Sequence, residues 1–329
     1  MQFQHTDISN SSFLITGGAG FIGSHIVEYL LKNGAKKVRV LDNFMTGFKK
    51  NIIPFREYAA FEMMEGDIRD FETCKQACAG IDYVSHQAAL GSVPRSVKDP
   101  ITSNDVNVTG FLHMLTAAKD SGSVKTFVYA SSSSVYGDEP NLPKREERVG
   151  NPLSPYAVTK KTNELYASVF AELYGMQVIG FRYFNVFGPR QDPDGPYAAV
   201  MPLFVSGILN HTPVYINGDG QQTRDFTYVD NAVQANVLGM LTENKEAFGK
   251  AYNIAVGENF TVNFLYESIR EMLNSEHQAT YREPRAGDIR NSLADISLAQ
   301  NLIGYQPTQR FLDGLKKTVE FFKEQYQHA

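Results

Sequence analysis

The chain has 329 residues, a formal net charge of −5, 43% hydrophobic and 20% charged residues. That length supports a large core and two lobes, and the mild acidity argues against a general binder of nucleic acid or anionic membrane. The start "MQFQHTDISNSS" lacks the apolar run of a signal peptide, and no stretch approaches the ~20 apolar residues of a membrane span, so a soluble cytoplasmic protein is expected.

In chain order, "SFLIT" reads as a short apolar strand running into "TGGAGFIG". The following "FIGSHIVEYLLKNG" places Ile22, Ile26, Tyr29 and Leu30 at helical spacing and closes on Gly34. Gly17, Gly20 and Gly23 thus form G-x-x-G-x-x-G between a strand and a helix, where a pyrophosphate sits at the positive helix end. "KKVRVLD" is the second strand. It ends on Asp42, about 20 residues past the glycines, where a dinucleotide-binding unit carries its ribose-binding acid. An Asp there accepts from both ribose hydroxyls and repels a 2′-phosphate, which favours NAD over NADP. "FEMMEGD" is the third strand, and its Asp67 suits either an adenine contact or the N-cap of the next helix.

"DFETCKQACAG" is a helix holding both cysteines, Cys74 and Cys78, at i, i+4. No His cluster accompanies them, so they read as reduced structural thiols, and no metal is expected. "IDYVSHQAA" is a strand, "DPITSNDVNVTGFLHMLTAAKDSG" a long helix, and "VKTFVYASS" a strand ending in four serines, Ser131 to Ser134. "SPYAVTKKTNELYASVFAELYG" is another long helix and "MQVIGFRYFN" a strand. This alternation predicts an α/β fold: a Rossmann-type doubly wound parallel sheet with a smaller α/β substrate-binding lobe. From about Gly188, Pro and Gly become frequent and elements shorten. The expected division is 1–188 plus about 225–256 for the NAD-binding part, and about 189–224 plus 257–329 for the smaller second lobe.

Tyr156 and Lys160 share one face of the helix beginning "SPYAVTKK". An ammonium near a phenol favours phenolate, a usable general base. Tyr and Lys at this spacing are common on ordinary helices. Here they follow a dinucleotide fingerprint and a serine-ended strand.

With these residues in place, the chain resembles the extended short-chain dehydrogenase/reductase superfamily and, within it, the nucleotide-sugar 4-epimerases. The resemblance runs along essentially the whole chain, through "TGGAGFIGS", "LDNF", "GDIRD", "HQAA", "SSSSVYGD", "SPYAVTKK", "RYFNVFGPRQ", "GDGQQTRDFTYVDN", "NIAVGE" and "RAGDIRNSLAD". It implies Ser132, Tyr156 and Lys160 as the catalytic set and NAD as a bound cofactor. The NAD site it implies comprises Gly17, Gly20, Phe21, Ile22, Gly23, Asp42, Asn43, Asp67, Ile68, Gln87, Ala88, Ala89, Tyr156, Lys160 and Tyr183. Related 4,6-dehydratases carry an Asp-Glu pair where this chain has Ser133 and Ser134, and related decarboxylases keep a Glu at the second position. Without those acids, elimination and decarboxylation lose their chemistry, and C4 epimerisation through a 4-keto sugar remains.

The same resemblance implies Arg224 and Arg285 on the diphosphate, Asp288 on a ribose hydroxyl and Tyr215 near the base. Asn217 joins this substrate set, and Asn185 falls near the nicotinamide. For Tyr215, ordinary core packing is the competing reading. Gly91, Ser92, Ser133, Ser134 and Gln191 are expected near the sugar. Ser292 stands where epimerases restricted to UDP-glucose and UDP-galactose tend to carry Tyr, leaving room for an N-acetyl group. The segments "ALGSVPRS" and "RYFNVFGPRQDPDGPYAAVMP" resemble the bacterial UDP-N-acetylglucosamine 4-epimerase branch. The expected pair is therefore UDP-GlcNAc and UDP-GalNAc. UDP-uronic acids meeting Arg95, or UDP-glucose, are the alternatives. A non-catalytic NAD-sensing protein is disfavoured by the intact Ser132, Tyr156 and Lys160. By family analogy, a homodimer through a helix bundle from residues 100–120 and 154–174 is expected.

Overall fold

The computed structural model describes residues 3, 6–193, 199–284 and 290–327. The expected anchors Arg285 and Asp288 lie outside the described residues.

The strands are β1 Ser12–Thr16, β2 Lys37–Asp42, β3 Phe61–Glu65, β4 Tyr83–His86, β5 Thr126–Ser132, β6 Gln177–Tyr183, β7 Val186–Phe187, β8 Tyr215–Asn217, β9 Thr223–Arg224, β10 Thr227–Tyr228, β11 Lys250–Ile254, β12 Phe260–Thr261 and β13 Thr280–Arg282. The helices are α1 Phe21–Lys32, α2 Phe71–Cys78, α3 Val93–Lys98, α4 Pro100–Asn104, α5 Gly110–Asp120, α6 Pro155–Tyr174, α7 Val200–Leu209, α8 Val229–Leu241, α9 Val262–Met272, α10 Ser297–Ile303 and α11 Phe311–Gln327.

Seven strands form one parallel sheet in the order β11-β6-β5-β4-β1-β2-β3. Alternation along β1 explains how both faces are covered. Phe13 and Ile15 join Ile26, Val27 and Leu30 of α1 and Ala232 and Val237 of α8. Leu14 faces the opposite way, toward Cys74 of α2, Phe111 and Met114 of α5 and Phe170 of α6. Both cysteines are buried there, and burial pushes their thiols up to about 12, as suits structural residues. Between β1 and β4 the strand order reverses, opening a crevice at the carboxyl ends of the strands.

A second core gathers Phe204 of α7, Leu265 and Ile269 of α9 and Phe311 and Leu315 of α11. Phe187, Phe226 and Phe311 pack with ring centroids 5.1 to 6.3 Å apart. The sheets here are two-stranded: β10 with β7, β12 with β9, and β13 with β8.

The expected long helix over 100–120 contains an interruption. Residues Asp105–Thr109, between α4 and α5, form a π turn with right-handed helical backbone on either side. The short helix α3 had no counterpart in the sequence reading. Its start is set by Ser92, whose hydroxyl accepts from the Arg95 amide at 3.3 Å.

Candidate functional site

The crevice holds a cavity of about 420 Å³. Gly17 turns out of β1 with φ +67, a conformation that favours glycine, and a Cβ there would meet the Ala88 amide nitrogen at 2.7 Å. A Cβ at Gly23 would lie 2.2 Å from the Gly17 carbonyl oxygen. That glycine therefore lets α1 close against the turn itself. Gly20 is the N-cap of α1 and lines the cavity, so the first amides of the helix face it without a side-chain cap.

Asp42 ends β2 and is 7% exposed. Its carboxylate accepts from the Ala19 amide at 2.9 Å and the Phe44 amide at 2.8 Å, and burial pulls its pKa upward against these bonds. Asp67 is held by Arg69 at 2.6 Å and Asn43 at 2.8 Å, and Arg69 drives its pKa down to about 2. The capping role considered for Asp67 belongs to Asp70, which accepts from the Glu72 amide to start α2.

At the other end stand Ser132, Tyr156 and Lys160. Helix α6 starts at Ser154, whose hydroxyl accepts from the Ala157 amide at 3.1 Å, with Pro155 in the first turn. Tyr156 and Lys160 follow one turn apart on the face toward β5. The Tyr156 amide also donates to Ser96 Oγ at 3.0 Å, tying α6 to α3. Asn107, inside the π turn, receives the Leu90 amide at 2.7 Å. It donates to the Leu90 carbonyl at 3.1 Å and to Thr159 Oγ1 at 3.2 Å. These bonds lock the cavity wall to α6.

One expectation is corrected. Burial raises the Tyr156 pKa, opposed by a hydrogen bond from Ser132. Lys160 donates to the Ala130 carbonyl at 2.8 Å, its Nζ stands 5.9 Å from the Tyr156 ring centroid, and burial lowers its pKa to about 8. The expected ammonium-driven depression of the phenol is therefore not what this geometry gives. At the end of β4, His86 Nδ1 shares a hydrogen bond with Thr16 Oγ1 at 2.9 Å, and burial holds its pKa down to about 3, hence neutral at pH 7.

The four serines divide their work. Ser131 donates to Glu164 on α6 at 2.7 Å, and Glu164 is gripped by Arg182 at 2.8 and 2.9 Å. Arg182 reaches Tyr136 at 3.0 Å, and Tyr136 donates to Asn253 at 2.6 Å. Ser132 accepts from the Ser134 amide at 3.1 Å and lines the cavity with Tyr156. Ser133 and Ser134 begin the turn Ser133–Tyr136 and do not line the cavity.

All fifteen expected cofactor residues line this one cavity: Gly17, Gly20, Phe21, Ile22, Gly23, Asp42, Asn43, Asp67, Ile68, Gln87, Ala88, Ala89, Tyr156, Lys160 and Tyr183. Of the expected substrate residues, Gly91 and Asn185 join them, and Asn185 has φ 35 and donates to the Asp225 carbonyl at 3.1 Å. Ser92, Ser133, Ser134, Tyr215, Asn217, Arg224 and Ser292 stand outside its lining. Gln191 lines a separate cavity of about 670 Å³ beside Phe321 and Phe322. Tyr215 is 47% exposed under the Arg282 guanidinium, which excludes the core-packing reading. Met45, Thr46 and Gly47 line the main cavity and were missed; the Phe48 amide, donating to the Ala19 carbonyl at 3.0 Å, folds their loop over the glycine turn.

A glycine turn before a helix start, a buried acid ending β2 and a Ser-Tyr-Lys set at one switch point define a dinucleotide-binding α/β enzyme. The donors and the open turn fit NAD. Residues 13–255 match the model of the NAD dependent epimerase/dehydratase family, and the chain belongs to that family, with NAD as its cofactor. It is 36% identical over 310 residues to a putative UDP-glucose 4-epimerase of Methanocaldococcus jannaschii, covering 94% of this chain and 98% of the relative. It is similar to the UDP-N-acetylglucosamine 4-epimerase of Methanobrevibacter ruminantium M1, solved with UDP-N-acetylmuramic acid. That match has 40% identity, a TM-score of 0.90, and covers 96% of this chain and 99% of that one. The UDP-glucuronic acid 4-epimerase of Bacillus cereus, solved with UDP-glucuronic acid and NAD, is 31% identical with a TM-score of 0.89, covering 96% and 100%. Among the described residues, no helix is long and apolar enough to cross a membrane.

Proposed function

We propose that the protein epimerises UDP-hexoses at C4 through a transient 4-keto sugar, with UDP-GlcNAc and UDP-GalNAc as the preferred pair. The observation that carries the reaction is that Ser132, Tyr156 and Lys160 all line the cavity that gathers the NAD residues, with Tyr156 and Lys160 one helical turn apart. Bound NAD supplies the hydride acceptor and a positive charge that favours the Tyr156 phenolate. Tyr156 takes the C4 hydroxyl proton, and Ser132 steadies the phenolate. Lys160 holds the cofactor ribose. Ser133 and Ser134 offer no carboxylate, so water elimination and decarboxylation lack their acid and base.

For the sugar, the reading rests on Ser292 and on the likeness to a UDP-N-acetylglucosamine 4-epimerase. Ser292 lies beside Arg224: its amide donates to the Thr223 carbonyl at 3.1 Å. Arg224 and the exposed Tyr215 serve the UDP moiety in this reading, with Arg285 and Asp288 completing the site. The division between residues 1–188 plus about 225–256 and residues about 189–224 plus 257–329 then separates cofactor from substrate binding. UDP-uronic acids, with Arg95 as the carboxylate partner, form the second reading, favoured by the likeness to the Bacillus cereus enzyme. Purified protein incubated separately with UDP-GlcNAc, UDP-Glc and UDP-glucuronate, without added NAD, should convert UDP-GlcNAc fastest. Fast conversion of another sugar alone overturns the preference. NADH accumulating in step with product overturns epimerisation.

The same reading includes a homodimer. Val158, Leu165, Val169 and Leu173 form an exposed apolar stripe on α6, with Val97 and Ile101 nearby in the chain of α3 and α4. Ile101 is 74% and Leu173 69% exposed. A second copy of this chain is the proposed cover, and Leu165→Glu with Leu173→Glu should shift sedimentation from dimer to monomer.

A further inference from the structure

We propose that Asn236, on α8 and outside the cavity lining, is a positioning residue that presents Tyr183 and Gln87 to the cofactor as hydrogen-bond acceptors. Asn236 is fully buried. Its Nδ2 donates to the Ala232 carbonyl at 2.8 Å. A backbone carbonyl only accepts, so this bond fixes which end of the amide is nitrogen. The same Nδ2 donates to the Tyr183 hydroxyl oxygen at 2.6 Å. Tyr183 must then spend its own proton elsewhere, and it donates to Gln87 Oε1 at 3.2 Å. That sets the Gln87 amide: its Nε2 donates to Asn236 Oδ1 at 3.0 Å and to Ser85 Oγ at 3.0 Å. Ser85 closes the ring by donating to Asn236 Oδ1 at 2.9 Å.

Every donor in this ring is consumed inside it. Burial raises the Tyr183 pKa, so its proton stays in place across the working range. Tyr183 and Gln87 both line the cavity beside Tyr156, and what they can still offer there is the spare lone pairs on Tyr183 Oη and Gln87 Oε1. A ligand group at this position must therefore bring N–H donors. A primary carboxamide does so, and a carboxylate meets two oxygens with no proton to share. Resting on the reading that the nicotinamide lies beside Tyr156, the ring selects the carboxamide form of the cofactor over its nicotinic-acid analogue. Asn236 exerts this through two residues without touching the ligand.

The test is binding of NAD and of nicotinic acid adenine dinucleotide to cofactor-stripped protein by calorimetry, for wild type, Asn236→Leu and Tyr183→Phe. Wild type should prefer NAD by about tenfold or more, the worth of roughly 1.4 kcal/mol. Asn236→Leu should bring the preference below about threefold, mainly by weaker NAD binding, with its thermal transition still cooperative. Equal binding of both dinucleotides by wild type, with epimerisation intact, overturns this inference alone. Binding of neither overturns it together with the cofactor reading. An unchanged preference in Asn236→Leu removes Asn236 from the argument. Should that variant not fold, Tyr183→Phe carries the test, since losing the hydroxyl must shrink the preference in the same direction, and an unchanged preference there also overturns the inference.

Discussion

Around the cofactor cavity, the lining groups arrive from the carboxyl ends of β1, β2, β4, β5 and β6, neighbours in one seven-stranded sheet. In the second lobe, Tyr215 sits in a three-residue strand, Arg224 in a two-residue strand, and Ser292 beside it on a backbone bond to Thr223. The first arrangement is over-determined, because shifting one residue breaks parallel ladders on both sides. The second rests on few backbone bonds and on exposed polar side chains, so it adjusts at low cost. An epimerase needs this asymmetry: the cofactor must stay fixed while the sugar turns over and presents its other face.

Four perturbations would break or sharpen the contrast. Tyr156→Phe removes the hydroxyl at the rigid end and should lower kcat by about 10²–10⁴-fold, with the fold intact by circular dichroism. Wild-type rates would remove Tyr156 as the base. Gly17→Val adds a Cβ into the Ala88 amide at a left-handed backbone position, and the purified protein should retain less than about a tenth of the wild-type NAD. Absorbance of cofactor released by acid reads this directly. In the adaptable lobe, Ser292→Tyr should lower kcat/KM for UDP-GlcNAc about tenfold more than for UDP-Glc, and equal losses would refute the steric argument.

The fourth perturbation concerns Asp225, fully buried where the two regions meet. Its carboxylate accepts from the Val256, Gly257 and Ala294 amides, and burial raises its pKa to about 7 from an ordinary 3.8. Between those values the folded protein binds the proton that the unfolded chain releases. Asp225 therefore adds stability below pH ~4 that is lost as pH rises toward ~7, with a slope of at most about 1.4 kcal/mol per pH unit. Urea titrations at pH 5 and 7.5 should show that difference shrink in Asp225→Asn. An unchanged difference would place the titration elsewhere.

The cofactor side was legible because its residues sit where strands end and turns begin, positions that glycine spacing and apolar runs mark directly. Asp42 and the Tyr156–Lys160 pair follow from such local patterns. Ser96 under the Tyr156 amide and Asn236 under Tyr183 were not legible, since each acts across 50 residues or more of chain. The Met45–Gly47 segment was missed for a related reason: it lines the cavity only because the Phe48 amide docks on Ala19. The polarity of Tyr156 was misjudged because helical spacing gives proximity to Lys160 but not burial, and burial dominates both groups. In the second lobe the UDP contacts came from the family resemblance and not from any pattern in the residues, and the serine run gave no sign that Ser133 and Ser134, just past β5, stand outside the cavity lining.

The π turn at Asp105–Thr109 holds one residue more than an α turn would, so the chain can lose a residue there without losing its register. Deleting Val108 and closing the turn to α geometry would leave Phe111, Met114 and Leu115 facing the core they now fill. The same deletion in the regular part of α5 would rotate everything beyond it by about 100° and shift it ~1.5 Å. What the shortened turn would give up is the outward bulge that aims Asn107 at Leu90 and Thr159. The extra residue therefore serves the wall of the cavity and not the core behind it.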